Sequence, residues 1–197
     1  DKVYYFSPSG RSAIAYVPKG RGAIALGDPI GPPEDREETI FSFRQFCERN
    51  DWYPAFYQTL PDDLELYQSL GFSVVKIGEE AIVDLHTFNL KGKANQNLRN
   101  YTNRLTKAGY QVKFYPPPIS DRLLRELRMV SDEWLQSMHG AEKKFSLGWF
   151  DEEYLRECEI ATVEASDERI TAFANVVSEY QINDITIDLM RHRDPVE

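Results

Sequence analysis

Residues 78–109 organise the rest of the chain, and they read GEEAIVDLHTFNLKGKANQNLRNYTNRLTKAG. The segment opens with a short apolar run at 81–85, whose β-branched residues predict a strand. Its apolar residues then recur three and four apart over 98–108, which predicts a helix. Gly109 stands where a left-handed residue ends many helices. The polar residues 86–93 predict a linker between the two elements.

The same stretch is basic, although the whole chain carries a net charge of −9 at pH 7. Residues 85–120 contain no Asp or Glu. Their basic residues are Lys91, Lys93, Arg99, Arg104, Lys107 and Lys113. A basic segment on an acidic protein predicts a site for a polyanion, while a solvated helix face is the alternative. We call residues 91–107 the basic segment.

The composition predicts a globular protein in a reducing compartment. Apolar residues make up 42% of the 197 residues and aromatic residues 13%, enough for a packed core. Cys47 and Cys158 do not make a disulfide framework, and neither a C-x-x-C motif nor a histidine cluster indicates a metal. No cofactor is predicted. No apolar run approaches the roughly 20 residues of a membrane span, and the start at Asp1 reads as a cut from a longer protein.

Periodicity and turn residues predict an α/β chain. Strands are predicted at 3–6, 12–17, 23–27, 52–60, 72–77, 81–85, 110–115, 160–165, 170–178 and 185–190. Helices are predicted at 34–50, 63–70, 121–138 and 151–158, in addition to the basic one. Ser120 and Asp151 are predicted as N-caps. Pro54 predicts that its strand lies at a sheet edge or carries a bulge.

Several motifs give the chain a family resemblance. They are ALGDPIGP (25–32), WYPAFYQ (52–58), GEEAIVDL (78–85), FNLKGK (88–93), L-R-N-x-x-N-R-x-x-K-x-G (98–109), KKFSLGWF (143–150), AFAN (172–175) and DLMR (188–191). In this order they resemble the soluble C-terminal domain of phosphatidylglycerol lysyltransferases. These proteins are also called aminoacyl-phosphatidylglycerol synthases or multiple peptide resistance factors. The resemblance covers nearly the whole chain.

The resemblance implies two tandem lobes of the Gcn5-related N-acyltransferase type, with mixed sheets flanked by helices. We expect a first lobe at 1–88 and a second at 89–197. The order of predicted elements is compatible with two such units in series. Because the family continues beyond the DLMR strand, we expect the second lobe to be incomplete at its C-terminal end, with an exposed sheet or a strand borrowed from another copy.

The resemblance also implies an activity. An aminoacyl group, lysyl or alanyl, would pass from aminoacyl-tRNA to a hydroxyl of phosphatidylglycerol. The expected place is the cytoplasmic, inner face of the cell membrane, with peripheral contact to anionic lipid head groups. Members of the family often carry an N-terminal membrane region, which this chain would lack if a longer form of the protein has one.

Asp188 and Arg191 of the DLMR motif are the predicted catalytic residues. Asp188 would act as base or amine anchor, and Arg191 would hold a phosphate through two hydrogen bonds. Residues three apart on a regular strand point to opposite faces, so we expect the strand to end or bend near Met190. An ordinary surface ion pair is the alternative.

Two further groups of residues are predicted to bind substrates. The loop before the 151–158 helix offers charge and an aromatic platform for the tRNA end through Glu142, Lys143, Phe145, Ser146 and Gly148. The basic segment would contact phosphates of RNA or of the lipid surface through Lys91, Lys93, Arg99, Arg104 and Lys107. A solvated loop and a solvated helix face are the alternatives.

Two other functions stay open. An ordinary Gcn5-related enzyme would bind acetyl-CoA through an R/Q-x-x-G-x-G/A motif, which the chain lacks. Related tandem acyltransferases modify a peptide amine, so the acceptor is open as well. The second alternative is a non-catalytic domain that binds RNA or anionic membranes through the basic segment.

Overall fold

The computed structural model describes residues 2–142, 145, 148–178 and 184–193. The chain forms two compact units, Asp1–Ala81 and Ile82–Glu197. Each unit has one four-stranded sheet with flanking helices. The predicted α/β class with two sheets is therefore confirmed. The lobe boundary between residues 88 and 89 stays a prediction.

The first unit contains β1 (Val3–Phe6), β2 (Ala13–Lys19), β3 (Gly22–Leu26), α1 (Arg36–Arg49), β4 (Tyr53–Tyr57) and α2 (Leu64–Ser69). Its strands lie in the order β1-β2-β3-β4. The first two pairings are antiparallel and the last is parallel. A parallel pair needs a crossover connection, which α1 provides. β4 lies at the edge of the sheet, as Pro54 predicts.

Alternation along β2 and β3 builds the core of this unit. β2 buries Ile14 and Tyr16, and β3 buries Ala23 and Ala25. The alanines leave room for aromatic rings from α1, and Phe43 lies with its ring centroid 5.2 Å from that of Tyr16. Because these side chains are two apart on each strand, they share the face that α1 covers.

The strands predicted at 72–77 and 81–85 are wrong. Neither segment forms a strand, and Val75 and Ile82 are 76% and 87% exposed. β-Branched residues favour an extended backbone, but a strand also needs a neighbour that shares its hydrogen bonds. In the described part of the chain neither segment has such a neighbour.

The second unit contains α3 (Gln96–Lys107), β5 (Gln111–Tyr115), α4 (Asp121–Ser137), α5 (Glu152–Arg156), β6 (Glu159–Glu164), β7 (Ile170–Ser178) and β8 (Ile185–His192). The four strands are antiparallel in the order β5-β6-β7-β8. The core joins α4 and α5 to the sheet through Leu124, Leu127, Val130, Leu155, Ile160, Phe173 and Leu189. One face of the sheet is thereby covered.

The predicted N-caps of α4 and α5 and the predicted glycine after α3 are confirmed. Ser120 Oγ accepts the N–H of Leu123, and Asp151 Oδ1 accepts the N–H groups of Glu153 and Tyr154. Gly109 has a φ of 85° directly after α3, a conformation that favours glycine. No helix within the described ranges has both the length and the apolar character of a membrane span.

Candidate functional site

The β8 strand carries an irregularity at the DLMR motif. Between two pairs of the β7–β8 ladder, β8 has Asp188 and Leu189 where β7 has Asn175 alone. The flanking pairs are Ala174 with Met190 and Val176 with Ile187. One extra residue on one strand is a β-bulge, which changes the alternation of side chains.

This bulge explains how the side chains of Asp188 and Arg191 both reach one part of the chain. Both side chains bond to the same chain segment, 142–154. The bend expected near Met190 is present as this bulge, which directly precedes Met190, whereas the strand does not end there and continues to His192. The extra residue of the bulge lets both side chains reach this segment, so the strand does not have to end there.

Asp188 accepts two hydrogen bonds. The backbone N–H of Gly148 donates to Oδ1 at 2.8 Å, and the hydroxyl of Tyr154 donates to Oδ2 at 3.1 Å. A Cβ on residue 148 would overlap the carboxylate of Asp188, so the close approach requires glycine. Both donors hold the carboxylate in one orientation.

Tyr154 is held on its other side by Asn175. The side-chain Nδ2 of Asn175 donates to Tyr154 Oη at 3.2 Å. Burial, followed by the negative charge of Asp188, raises the pKa of Tyr154 far above its ordinary value. The hydroxyl therefore keeps its proton and remains a donor.

Arg191 is buried and forms an ion pair with Glu142. Its Nη2 donates to Glu142 Oε2 at 2.7 Å, while the N–H of Phe150 donates to Oε1 at 3.3 Å. The guanidinium lies 4.1 Å from the ring centroid of Trp134 on α4. Its Nε and Nη1 have no hydrogen-bond partner among the described residues. Arg191 and Glu142 are thus brought together as one pair.

The other predicted loop residues divide into two groups. Gly148 lies against Asp188, and Phe145 is half-buried. Lys143 and Ser146 lie outside the described residues. The role of this loop in substrate binding stays a prediction.

The basic segment is exposed along its whole length except at Arg99 and Asn95, which are half-buried. Arg99 donates to the carbonyls of Leu90 and Gly92, so it holds the turn before α3. No ion pair within the described ranges involves Lys91, Lys93, Arg99, Arg104 or Lys107. Their charge is therefore not neutralised by neighbouring carboxylates.

Two basic residues of the acid-free stretch make side-chain contacts. The guanidinium of Arg104 lies over the ring of Tyr101, 4.8 Å from its centroid. Lys113, the sixth basic residue of the acid-free stretch, pairs with Glu164 at 2.7 Å and so has a different role. α3 itself has no buried residue, and its apolar side is exposed at Leu98.

Sequence reasoning missed Tyr154, Asn175 and Trp134 as parts of the site. Asn175 is the last residue of the AFAN motif. A polar amide within an otherwise apolar strand could have indicated its role. Tyr154 and Trp134 have ordinary helical contexts, and only the fold brings them to β8.

Two cavities lie away from this site. One of about 620 Å³ in the first unit is lined by residues that include Trp52, Phe56 and Tyr67. Another of about 440 Å³ in the second unit is lined by residues that include Lys113 and Glu164. Asp188 and Arg191 line neither cavity. In the described ranges no three His, Cys, Asp or Glu side chains gather as metal ligands.

Comparison with known proteins places the chain in a family. Residues 1–196 match the family model described as phosphatidylglycerol lysyltransferase, C-terminal. The phosphatidylglycerol lysyltransferase of Bacillus subtilis is 40% identical over 193 residues, and that of Staphylococcus xylosus is 30% identical over 197. The solved structure of L-PGS from Bacillus licheniformis superposes with a TM-score of 0.90 at 38% identity.

These matches cover the chain almost completely but only part of each relative. The match spans 98% of this chain and 22% of the Bacillus subtilis protein, and 100% of this chain and 23% of the Staphylococcus xylosus protein. It spans 100% of this chain and 62% of the solved Bacillus licheniformis chain. The predicted resemblance is confirmed, and the chain belongs to the phosphatidylglycerol lysyltransferase C-terminal family.

Proposed function

We propose that this chain is part of an aminoacyltransferase that moves a lysyl or alanyl group from aminoacyl-tRNA to a hydroxyl of phosphatidylglycerol. Relatives that match the chain are named phosphatidylglycerol lysyltransferase. The observation that carries the proposal is the β8 bulge, since Asp188 and Arg191 bond to one chain segment beside it. A base and a cation at one site are what this ester exchange requires.

In the proposed reaction a hydroxyl oxygen of the lipid attacks the carbonyl carbon of the aminoacyl ester. The new ester bond forms, and the bond to the ribose oxygen of the tRNA breaks. The proton of the lipid hydroxyl is transferred to the ribose oxygen. No electrons are gained or lost, so the reaction needs neither oxidant nor reductant.

Asp188 serves as the base that receives the hydroxyl proton, and anchoring the amine of the aminoacyl group is its alternative role. Its carboxylate accepts hydrogen bonds from Gly148 and Tyr154, which leaves further lone pairs for a substrate. The half-exposed position of Asp188 gives a substrate access to these lone pairs.

Arg191 contributes positive charge for an anionic group, such as the lipid phosphate or the carbonyl oxygen as it becomes negative. The buried Nε and Nη1 atoms, which have no hydrogen-bond partner among the described residues, support this role. Trp134 below the guanidinium and Glu142 beside it restrict its orientation. An arginine held in this way presents its donors with little loss of side-chain entropy.

The basic segment binds the phosphates of the tRNA donor in this proposal. Its five cations lack carboxylate partners in the described ranges, and RNA affinity depends mainly on such phosphate contacts. The lipid acceptor requires that the reaction take place at a membrane surface. We place it at the inner face of the cell membrane, where charged tRNA is available, with peripheral contact to anionic lipid.

The test is transfer of a labelled amino acid from lysyl-tRNA or alanyl-tRNA to phosphatidylglycerol vesicles. We expect label in the lipid fraction, reduced about a hundredfold or more in Asp188→Asn and in Arg191→Ala. Asp132→Asn on the exposed side of α4 is the matched control and should keep full transfer. Absence of transfer from either tRNA would contradict the proposal, and acetyl-CoA consumption would then identify the acyl-CoA alternative.

A further inference from the structure

Asn175 is a buried amide in the middle of an apolar strand. It has no exposed surface, and it lies on β7 opposite the bulge formed by Asp188 and Leu189. Burying an amide is unfavourable unless its donors and acceptor find partners. The partners of Asn175 therefore indicate why a polar residue occupies this place.

The side chain of Asn175 bonds to both strand β8 and helix α5. Its Oδ1 accepts the backbone N–H of Leu189 at 2.7 Å, inside the bulge. Its Nδ2 donates to Tyr154 Oη at 3.2 Å and approaches Cys158 Sγ at 3.7 Å. The amide thus supplies an acceptor where the irregular ladder provides Leu189 with no regular pairing.

These partners determine the direction of each hydrogen bond in the series that runs from Leu189 through Asn175 and Tyr154 to Asp188. A backbone N–H can only donate, so the atom of Asn175 that faces Leu189 must be the oxygen. The other end is then the NH₂ group, which can only donate, and Tyr154 Oη must accept from it. The proton of Tyr154 is left to point at Asp188 Oδ2, 3.1 Å away.

We propose that Asn175 is the positioning residue for Asp188. It holds the backbone of the bulge, and through Tyr154 it directs a proton donor at the carboxylate. Asp188 is thereby held in one orientation, as a base must be before the substrate binds. This inference rests on the proposed function for the role of Asp188, but the hydrogen-bond chain itself can be tested separately.

The sharpest variant is Asn175→Asp, which keeps the size and the acceptor for Leu189. In its ionised form the second oxygen can only accept, so it competes with Asp188 for the proton of Tyr154. Asp188 loses a donor and gains a nearby negative charge, and both changes raise the pKa of a carboxyl group. Tyr154→Phe removes the donor alone and should raise the pKa of Asp188 by a smaller amount.

The first measurement is the titration of Asp188 by carboxyl ¹³C NMR. We expect the titration midpoint to move to higher pH in Tyr154→Phe and further in Asn175→Asp. Asn50→Asp is the matched control, because it makes the same chemical change at an exposed position in the other unit. An unchanged titration in both Asn175→Asp and Tyr154→Phe would overturn the proposal whatever the activity of the variants.

The second measurement is transfer to phosphatidylglycerol as a function of pH. We expect kcat in Asn175→Asp to fall about tenfold to a hundredfold with KM nearly unchanged, and the acidic limb of the profile to move to higher pH. If the NMR titration moves while transfer is unaffected, Asn175 still positions Asp188, and the catalytic role given to Asp188 is wrong. Failure of the two proposals is thus distinguishable.

Discussion

Arg191 and Glu142 form an ion pair whose side chains are only 5% and 21% exposed, with 2.7 Å between Nη2 and Oε2. The pair joins β8 to the segment after α4. Phe150 strengthens this connection, because its N–H donates to the second oxygen of Glu142. The contact therefore has a structural role in addition to any role in binding substrate.

Glu142→Ala should lower the free energy of unfolding by about 3 kcal/mol, because it leaves the Arg191 charge buried without its partner. Urea denaturation followed by circular dichroism measures this change. Glu152→Ala is the control, since Glu152 pairs with Arg128 but both side chains are more than 40% exposed. That variant should lose less than about 1 kcal/mol. Equal losses in the two variants would show that burial of the Arg191 pair is not decisive.

Gly148→Ala should reduce activity more than stability. The added Cβ would overlap the Asp188 carboxylate and displace either the loop or the side chain. We expect kcat/KM for aminoacyl transfer to fall at least about tenfold, with a stability loss of about 1–3 kcal/mol. Gly140→Ala is the matched control, because the nearest atom to its Cβ lies 3.8 Å away. Similar activity in both variants would contradict the close approach.

Glu164 should make stability depend on acid pH. Burial raises its pKa, but the hydrogen bonds from Lys113, Tyr115 and Thr162 outweigh burial, and the pKa lies below its ordinary value. A lowered pKa in the folded state stabilises the protein above the unfolded pKa of about 4.3, and this stabilisation is lost as the pH falls through the folded value.

Glu164→Gln should therefore be less stable than the parent at pH 7, and the difference should shrink below about pH 4. Urea denaturation at a series of pH values measures it. Glu159→Gln, exposed on the same strand, is the control and should show little difference at any pH. A difference for Glu164→Gln that stays constant down to pH 2 would be inconsistent with the lowered pKa.

Lys107→Ala should weaken tRNA binding and make the binding constant less dependent on salt concentration. Each lost phosphate contact should reduce the slope of log K against log salt concentration by about 0.7 to 0.9. Fluorescence anisotropy with labelled tRNA at several salt concentrations measures the slope. Lys19→Ala, an exposed cation at the end of β2, is the control. If both variants reduced the slope equally, the basic segment would not be the RNA site.

The elements that could be predicted are those whose signals are local. The N-caps Ser120 and Asp151 and the glycine after α3 act within one helical turn, so their residue types suffice. The segments 72–77 and 81–85 were wrongly predicted as strands. Their β-branched residues describe the backbone that the segments prefer, but pairing depends on a neighbour that the segment itself does not contain.

The candidate site shows the same division. Asp188 and Arg191 could be selected because one short motif contains both this acidic residue and this basic residue. The bulge that lets both reach one segment depends on the register of β7 and β8, which no local pattern reveals. Tyr154 is 34 residues from Asp188, so their hydrogen bond could be found only from the fold.

Pro54 has a consequence for the behaviour of the protein at high concentration. Tyr53 donates to the carbonyl of Arg21, and Tyr57 accepts from Gly27, so alternate residues of β4 bond inward to β3. The backbone groups of Pro54 and Phe56 therefore face the open edge of the sheet. Proline has no backbone N–H. Only Phe56 can donate there, which makes β4 a poor template for a strand of another molecule and protects this edge against aggregation.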